Sequence, residues 1–406
     1  MKIVLFDLLS TGHHIKYASF LIRYLIDQGD EVKFITLCKN TYIEERLDNV
    51  SESNRFTIDF LHGNCDSSRF SSSKMNLYAY EKGVYQGLRY CYQIANEWKA
   101  DIVHHLYLDR SEIPVYLSLL TSGRNCKWKF YATLFWPYFV HSKEEQIGLF
   151  KASYHRLNLL TLKTMLKKRQ INGLFVHSEN IKRAVLKCFK DLALENQILV
   201  IPDPAEQIPI VDQDIARGYL NLPQNKTMLL FFGGATWDKG IDILLESIPL
   251  IKHTDWFLVL AGEPQTFSKE QIENHANKIE NPSFLINHLY FIPESKIKYY
   301  FSAADAVVLP YRKTYKGTSG ILQLSASAGK PVIASNVGEI GQIVRENGLG
   351  ILVEPESPIS LAHGIQSFLD KKEEITKDVF NKAIHYAQNN DWRIMASKAR
   401  EVYLTI

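Results

Sequence analysis

Residues 303–344, AADAVVLPYRKTYKGTSGILQLSASAGKPVIASNVGEIGQIV, constrain the fold more than any other stretch. Ala306 to Leu309 form a short apolar run closed by Pro310, the pattern of a parallel strand buried on both faces. A polar loop, 311–317, follows it. Thr318 or Ser319 then caps a helix that runs through Ile321, Leu322 and Leu324 to Ala328. Gly329 stops that helix, and Pro331 opens a second strand, 331–334. A loop with Asn336 and Gly338 leads into another helix. The order β-loop-α-β-loop-α demands a parallel sheet, and ligands of such sheets sit beyond the strand C-termini. The loop Gly317-Thr318-Ser319-Gly320 lies at a helix N-terminus, where free amides and the helix dipole suit a phosphate. An ordinary βα connection has the same appearance.

The chain opens in the same rhythm. Residues 2–8 read as a strand, 10–14 as a polar turn, 15–28 as an amphipathic helix and 31–37 as a second strand. Gly12, His13 and His14 therefore fall at a strand C-terminus. Residues 101–105 read as a strand ending in His104 and His105, and 129–134 as another, running into Phe135 and Trp136. Residues 54–73, with their serine cluster, read as an irregular loop. Pro202-Asp203-Pro204 reads as an interdomain linker. Past it the α/β pattern restarts, with a strand at 228–232 and a Gly-rich loop, GGATWDKG, from Gly233 to Gly240. Strands are also expected at 257–261 and 289–292. Lys239 stands one residue before Gly240, where a helix begins, and an ammonium there is placed to hold a diphosphate.

At 406 residues the chain exceeds one ordinary core, so two domains are expected. The net charge of +3 gives no argument for nucleic acid. No apolar run is long enough to cross a bilayer, and the N-terminal run reads as a strand rather than a signal peptide. The five cysteines are scattered without a CxxC pair, which argues against a zinc site or a disulfide framework and fits a reducing cytoplasm. Residues 150–170 intersperse Lys151, Arg156, Lys163, Lys167, Lys168 and Arg169 with leucines and contain no acid. Such a helix either lies on an anionic membrane surface or presents a solvated face of its domain.

The strings GGATWDKGIDILLES, FLVLAGEP, YYFSAADAVVLPY, GTSGILQLSASAGKPVIASNVGE and GLGILVEP resemble the C-terminal domain of retaining GT-B glycosyltransferases of family 4, the glycosyl transferases group 1. GHHIKYASFLIRYLIDQGDEVKFIT, ADIVHH and FVHSENIKRAV resemble the family's N-terminal half more weakly. The resemblance implies an α/β fold of two Rossmann-like doubly wound domains facing across a cleft. Residues 1–202, with a returning tail at about 388–406, would bind the acceptor, and 203–387 the nucleotide-sugar donor. It implies transfer of a hexose, with retention, from a nucleotide-diphosphate sugar to a glycan, lipid-linked or other hydroxyl acceptor, as in polysaccharide biosynthesis. No obligatory metal and no cofactor beyond the donor co-substrate are expected. A cytoplasmic protein is implied, with peripheral contact at the inner membrane face through 150–170.

Residue by residue, the resemblance implies catalytic roles for Lys239, Ser319 and Gly320 in stabilising the departing diphosphate. Gly12, His13, Gly234, Thr236, Gly262, Glu263, Phe291, Ile292, Thr318, Ile321, Gln323 and Leu324 would line the donor. His14, His104, His105 and Trp136 would face the acceptor.

Four positions depart from the family pattern. The Glu-x7-Glu pair falls on Lys316 and Leu324. The arginine five places before the lysine is Gly234, and the histidine after the fourth N-terminal strand is Phe135. A charged hydrogen bond to the ribose is worth roughly 1.5–3 kcal/mol, so its loss weakens donor binding by about one to two decades. Gln323 could replace the missing carboxylate, and Arg312 or the histidines the missing phosphate and sugar contacts. A non-catalytic GT-B module is the alternative that these departures fit. An epimerase or hydrolase would instead need a carboxylate pair, with Asp109, Glu263 and Glu339 as candidates.

Overall fold

The computed structural model describes residues 1–9, 13–39, 41–51, 53–61, 77–122, 126–135, 137, 139, 149–276, 284–315 and 317–405. The chain divides into two units, Met1–Pro204 with Trp392–Ile406, and Ala205–Asp391.

The N-terminal unit is built on seven parallel strands: β1 Lys2–Phe6, β2 Glu31–Thr36, β3 Phe56–Phe60, β4 Ile102–His105, β5 Lys129–Thr133, β6 Gly173–Val176 and β7 Ile198–Val200. Their order is β3-β2-β1-β4-β5-β6-β7. Successive residues of each strand feed opposite faces. Val4, Phe6, Val103, Phe130 and Leu174 pack into one core, and Ile3, Leu5, Ile102, Tyr131 and Phe175 into the other. The second core is closed by the helix Trp392–Leu404, which returns to pack on the first helix, His13–Asp27. Trp392 stacks on Phe20 with centroids 5.3 Å apart, and the Arg400 Nε donates to Asp30 at 2.6 Å.

The second unit has six parallel strands: β8 Thr227–Phe232, β9 Trp256–Ala261, β10 Leu285–His288, β11 Ala306–Leu309, β12 Val332–Ser335 and β13 Gly350–Val353. Their order is β10-β9-β8-β11-β12-β13. Both units are thus doubly wound Rossmann-like sheets, the α/β class expected from the sequence.

Some expectations are corrected. Residues 56–60, read as part of an irregular loop, are edge strand β3, which pairs in register with β2. The strand expected at 289–292 lies instead at β10, four residues earlier. Cys38, two residues past β2, is disulfide-bonded, whereas Cys91, Cys126 and Cys188 take part in no disulfide.

The basic helix spans Leu149–Lys167 and is anchored by Leu162, Met165 and Leu166 in the core. Lys163 donates to the Phe189 carbonyl, and Lys167 reaches Asp191 at 2.7 Å. Lys167 is nonetheless 53% exposed, and Arg156, Lys168 and Arg169 are exposed as well. No described helix is long and apolar enough to cross a membrane.

Candidate functional site

In the second unit, three loops converge at the C-terminal ends of β8, β9 and β11. Gly233, at φ +100°, donates its amide to the Ala261 carbonyl at 2.8 Å. Gly262, at φ +142°, passes so close that a Cβ built on it would lie 2.2 Å from the Gly233 oxygen. Ala235 and Glu263 continue the pairing, with N···O 3.0 Å. Glu263 itself is exposed. Gly234 has Gln265 beside it, where a Cβ would meet the amide nitrogen at 2.5 Å.

Thr236 then caps a single 3₁₀ turn, Trp237–Lys239, with no side-chain cap bond. Its Oγ1 is buried and unpartnered. Lys239 is half-buried, and a Cβ at Gly233 would lie 2.8 Å from its Nζ and 3.6 Å from Ile321 Cδ1. The lysine, the glycine loop and the start of the helix Gly320–Ser327 therefore meet at one point. Burial lowers the Lys239 pKa, and the neighbouring Asp238 partly opposes this.

The helix Gly320–Ser327 is capped by Ser319, whose Oγ accepts from the Leu322 amide at 3.4 Å and shares a hydrogen bond with the Tyr311 hydroxyl at 3.1 Å. Tyr315 donates to the Thr318 carbonyl at 2.7 Å. The first amides of a helix have no intrahelical partner, and Ser319 serves that of Leu322. Among the described residues, those of Gly320 and Ile321 have no partner and remain for a ligand or water. A Cβ on Gly320 would meet nothing within 4 Å, so this end of the helix is open.

Gln323 keeps its Oε1 buried without a partner among the described residues. It is buried, and its Nε2 donates to the Tyr386 hydroxyl at 3.0 Å, inside the packing against helix Lys372–Asn389. Leu324 is buried in the same apolar cluster as Ile292, and Phe291 is exposed. Arg312, the other cation considered for phosphate, is committed to the turn: its Nε donates to the Trp237 carbonyl at 2.8 Å and its Nη2 pairs with Asp242.

In the N-terminal unit, Gly12 and Trp136 lie outside the described residues. His13 is exposed at the start of its helix, its ring 4.4 Å from that of His14. His14 is buried, with Nδ1 2.8 Å from Asp7 Oδ2 and its ring 4.1 Å from Tyr107. Phe135, Tyr107 and His177 extend this aromatic group, with centroids 5.0 Å and 4.3 Å from Phe135.

His104 and His105 require correction as acceptor contacts. His104 has no exposed surface and bonds Tyr403 and Thr133 through its two ring nitrogens, at 2.5 and 2.8 Å. His105 is buried against Phe6. Burial pushes both down to about 3, with a smaller effect from a neighbouring histidine, so both are neutral core residues.

Sequence reasoning missed Asp7, Tyr107, His177 and Glu112. Glu112 is buried and pushed up to about 8, mainly by burial and also by Asp109. Asp109 accepts from the Phe135 amide at 2.9 Å. The spacing of Asp109 and Glu112 after a strand end was the available signal.

Residues 212–386 match the family model described as glycosyl transferases group 1. An uncharacterized glycosyltransferase of Methanocaldococcus jannaschii is 30% identical over 155 residues, 38% of each chain. A D-inositol 3-phosphate glycosyltransferase of Catenulispora acidiphila is 27% identical over 210 residues, 47% of each. The chain thus spans less than half the length of these curated relatives. Among solved structures, sucrose-phosphate synthase from Thermosynechococcus elongatus superposes with a TM-score of 0.76 at 19% identity, covering 100% of this chain and 98% of that one. Anabaena HepE, solved in complex with UDP-glucose, gives 0.72 at 13% identity with 100% of both chains covered. The fold is GT-B.

Proposed function

We propose that this chain is a retaining glycosyltransferase that moves a sugar from a nucleotide-diphosphate sugar to a hydroxyl of a glycan or lipid-linked acceptor, with no obligatory metal. The observation that supports it is the meeting of the Lys239 ammonium with Gly233 and the open N-terminus of helix Gly320–Ser327. All of these lie within the segment that matches the family model.

When the anomeric carbon–oxygen bond breaks, negative charge builds on the departing diphosphate. A cation and preorganised amides aimed at that charge lower the barrier. In this reading Lys239 supplies the cation, and the first turn of the helix, from Ser319 to Ile321, supplies the amides. The acceptor oxygen attacks on the face the diphosphate leaves, and a departing phosphate oxygen takes the acceptor proton, so no strong protein base is needed. His13, His14, Tyr107 and Phe135 would contact the acceptor.

A panel of UDP-, GDP- and ADP-sugars tests the reading by thermal shift, because a ligand that binds the folded state raises Tm by mass action. One sugar nucleotide should stabilise the protein, Lys239→Ala should lose that shift, and the nucleoside diphosphate should be released when acceptor is added. Absence of any shift at millimolar ligand would sink the proposal.

A second reading, a module that binds a sugar nucleotide without turning it over, is favoured by buried Leu324 and by Gln323 being bonded to Tyr386. Neither residue offers the ribose a carboxylate. Binding without nucleotide release across a broad acceptor panel would select it.

A further inference from the structure

Arg312 stands three residues after β11 and touches the Lys239 turn from several directions. Its backbone amide donates to the Asp238 carbonyl at 2.9 Å, and its Nε to the Trp237 carbonyl at 2.8 Å. Its Nη2 pairs with Asp242, and the guanidinium lies 4.2 Å from the centroid of the Trp237 ring. Two residues earlier, the Pro310 carbonyl lies 2.2 Å from where a Cβ on Gly240 would sit, so only the glycine, at φ +66°, admits that approach. Residues 310–312 thus hold positions 237 and 238 before the lysine and 240 and 242 after it.

A lone 3₁₀ turn has poor hydrogen-bond geometry and little stability of its own. This one also lacks a side-chain cap. Something outside the turn must fix it, and the planar guanidinium fork, bonding in its plane and stacking on its face, is suited to that. Arg312 and Asp242 side chains are only 12% and 21% exposed, so their pair is not a solvent-screened rim contact.

We infer that Arg312 is a positioning residue: it clamps the turn Trp237–Lys239 and thereby sets the Lys239 ammonium beside Gly233 for a nucleoside diphosphate. The inference rests on the donor reading above. It assigns Arg312 no contact with phosphate.

The test is a set of dissociation constants by calorimetry, using whichever of UDP, GDP and ADP binds the wild type most tightly. The variants are Lys239→Ala, Arg312→Ala, Arg312→Lys and the double variant Arg312→Ala/Lys239→Ala. Arg312→Ala should weaken binding by about tenfold, on the scale of a misplaced charge-assisted hydrogen bond. Arg312→Lys should be nearly as weak, because lysine keeps the charge but cannot bond Trp237 and Asp242 in one plane. The double variant should bind no worse than Lys239→Ala alone, since a clamp has nothing left to position.

Wild-type affinity in Arg312→Lys, or additive losses in the double variant, would overturn the clamp by making Arg312 a phosphate cation in its own right. A weak Lys239→Ala beside an unaffected Arg312→Ala would overturn the clamp alone. Wild-type affinity in Lys239→Ala would overturn the donor reading itself. Should Arg312→Ala fail to fold, Asp242→Asn repeats the comparison, with the same weakening and the same non-additivity expected.

Discussion

His104 gives the sharpest quantitative prediction, because its environment ties the stability of the N-terminal domain to pH. The ring is buried, bonded to Tyr403 and Thr133, and held neutral with its pKa pushed down to about 3. In the unfolded chain the same imidazole titrates near 6.5. Below about pH 6.5 the unfolded state therefore takes up a proton that the native state refuses. The contribution of His104 to stability is whole above that pH and is lost progressively as pH falls toward 3. Integrating between about pH 6 and pH 4 gives a loss of about 2.5 kcal/mol from this one residue. His104→Gln removes the titration while leaving an amide that can still bond. Its baseline stability will differ, but its pH slope is the quantity of interest. Native-state hydrogen exchange of the β4 and β5 amides reads the opening free energy of this domain in both proteins at each pH. Carboxylate titrations common to both cancel in the difference. The wild-type advantage should shrink by about 2.5 kcal/mol over those two pH units. Parallel curves would refute the reasoning, and would mean that the native imidazole protonates at an ordinary pH despite its burial.

Other outcomes follow from the same structure. Glu112, raised to about 8, stays protonated in the fold while its unfolded counterpart ionises above about 4.5, so it costs stability as pH rises between the two. Glu112→Gln should relieve up to about 1.4 kcal/mol per pH unit across that window, measured by urea unfolding at several pH values. Diphosphate binding should weaken as pH rises toward the lowered pKa of Lys239, because only the ammonium attracts the anion. In Lys239→Ala, binding titrated by calorimetry should be weak and should lack that alkaline fall. Leu324→Glu should favour a ribonucleotide over its 2′-deoxy analogue by about tenfold if the ribose lies there, the scale of one charged hydrogen bond; equal affinities would place the ribose elsewhere. Gly262→Ala adds a Cβ 2.2 Å from the Gly233 oxygen at a φ of +142°. It should destabilise the second domain by about 3 kcal/mol or more, read from its Tm.

The elements that could be read from sequence were those whose signal is local. β1, β8, β9 and β11 are apolar runs bounded by turn residues, and the Ser178 and Ser319 caps stand where a hydroxyl precedes a helix. β3, an edge strand, carries a local signal too, the alternation Phe56-Thr57-Ile58-Asp59-Phe60, which the serine-rich stretch after it obscured. The site divides in the same way. Lys239 and the glycines around it announce themselves by spacing. His104 looked like a ligand because it stands near a strand end, yet the partner that buries it, Tyr403, is 299 residues away. The partner of the Gln323 Nε2, Tyr386, is likewise 63 residues on. No local pattern carries such information. Arg312 was noticed for its charge, and its binding to Trp237 and Asp242 emerged only from the fold.

The returning helix Trp392–Leu404 bears on biosynthesis. The strands of the N-terminal sheet leave the ribosome first, but the side chains that cover one face of it, Met395, Ala399 and Tyr403, are made only after the whole of Ala205–Asp391. The second domain is continuous in sequence and has every residue it needs before the first does. During translation the first domain must therefore wait with Phe20, His104 and Tyr131 incompletely covered. A nascent chain arrested near residue 391 should expose that face to chaperones and proteases while its later-made domain is already native. Release of residues 392–404 would then close the earlier one.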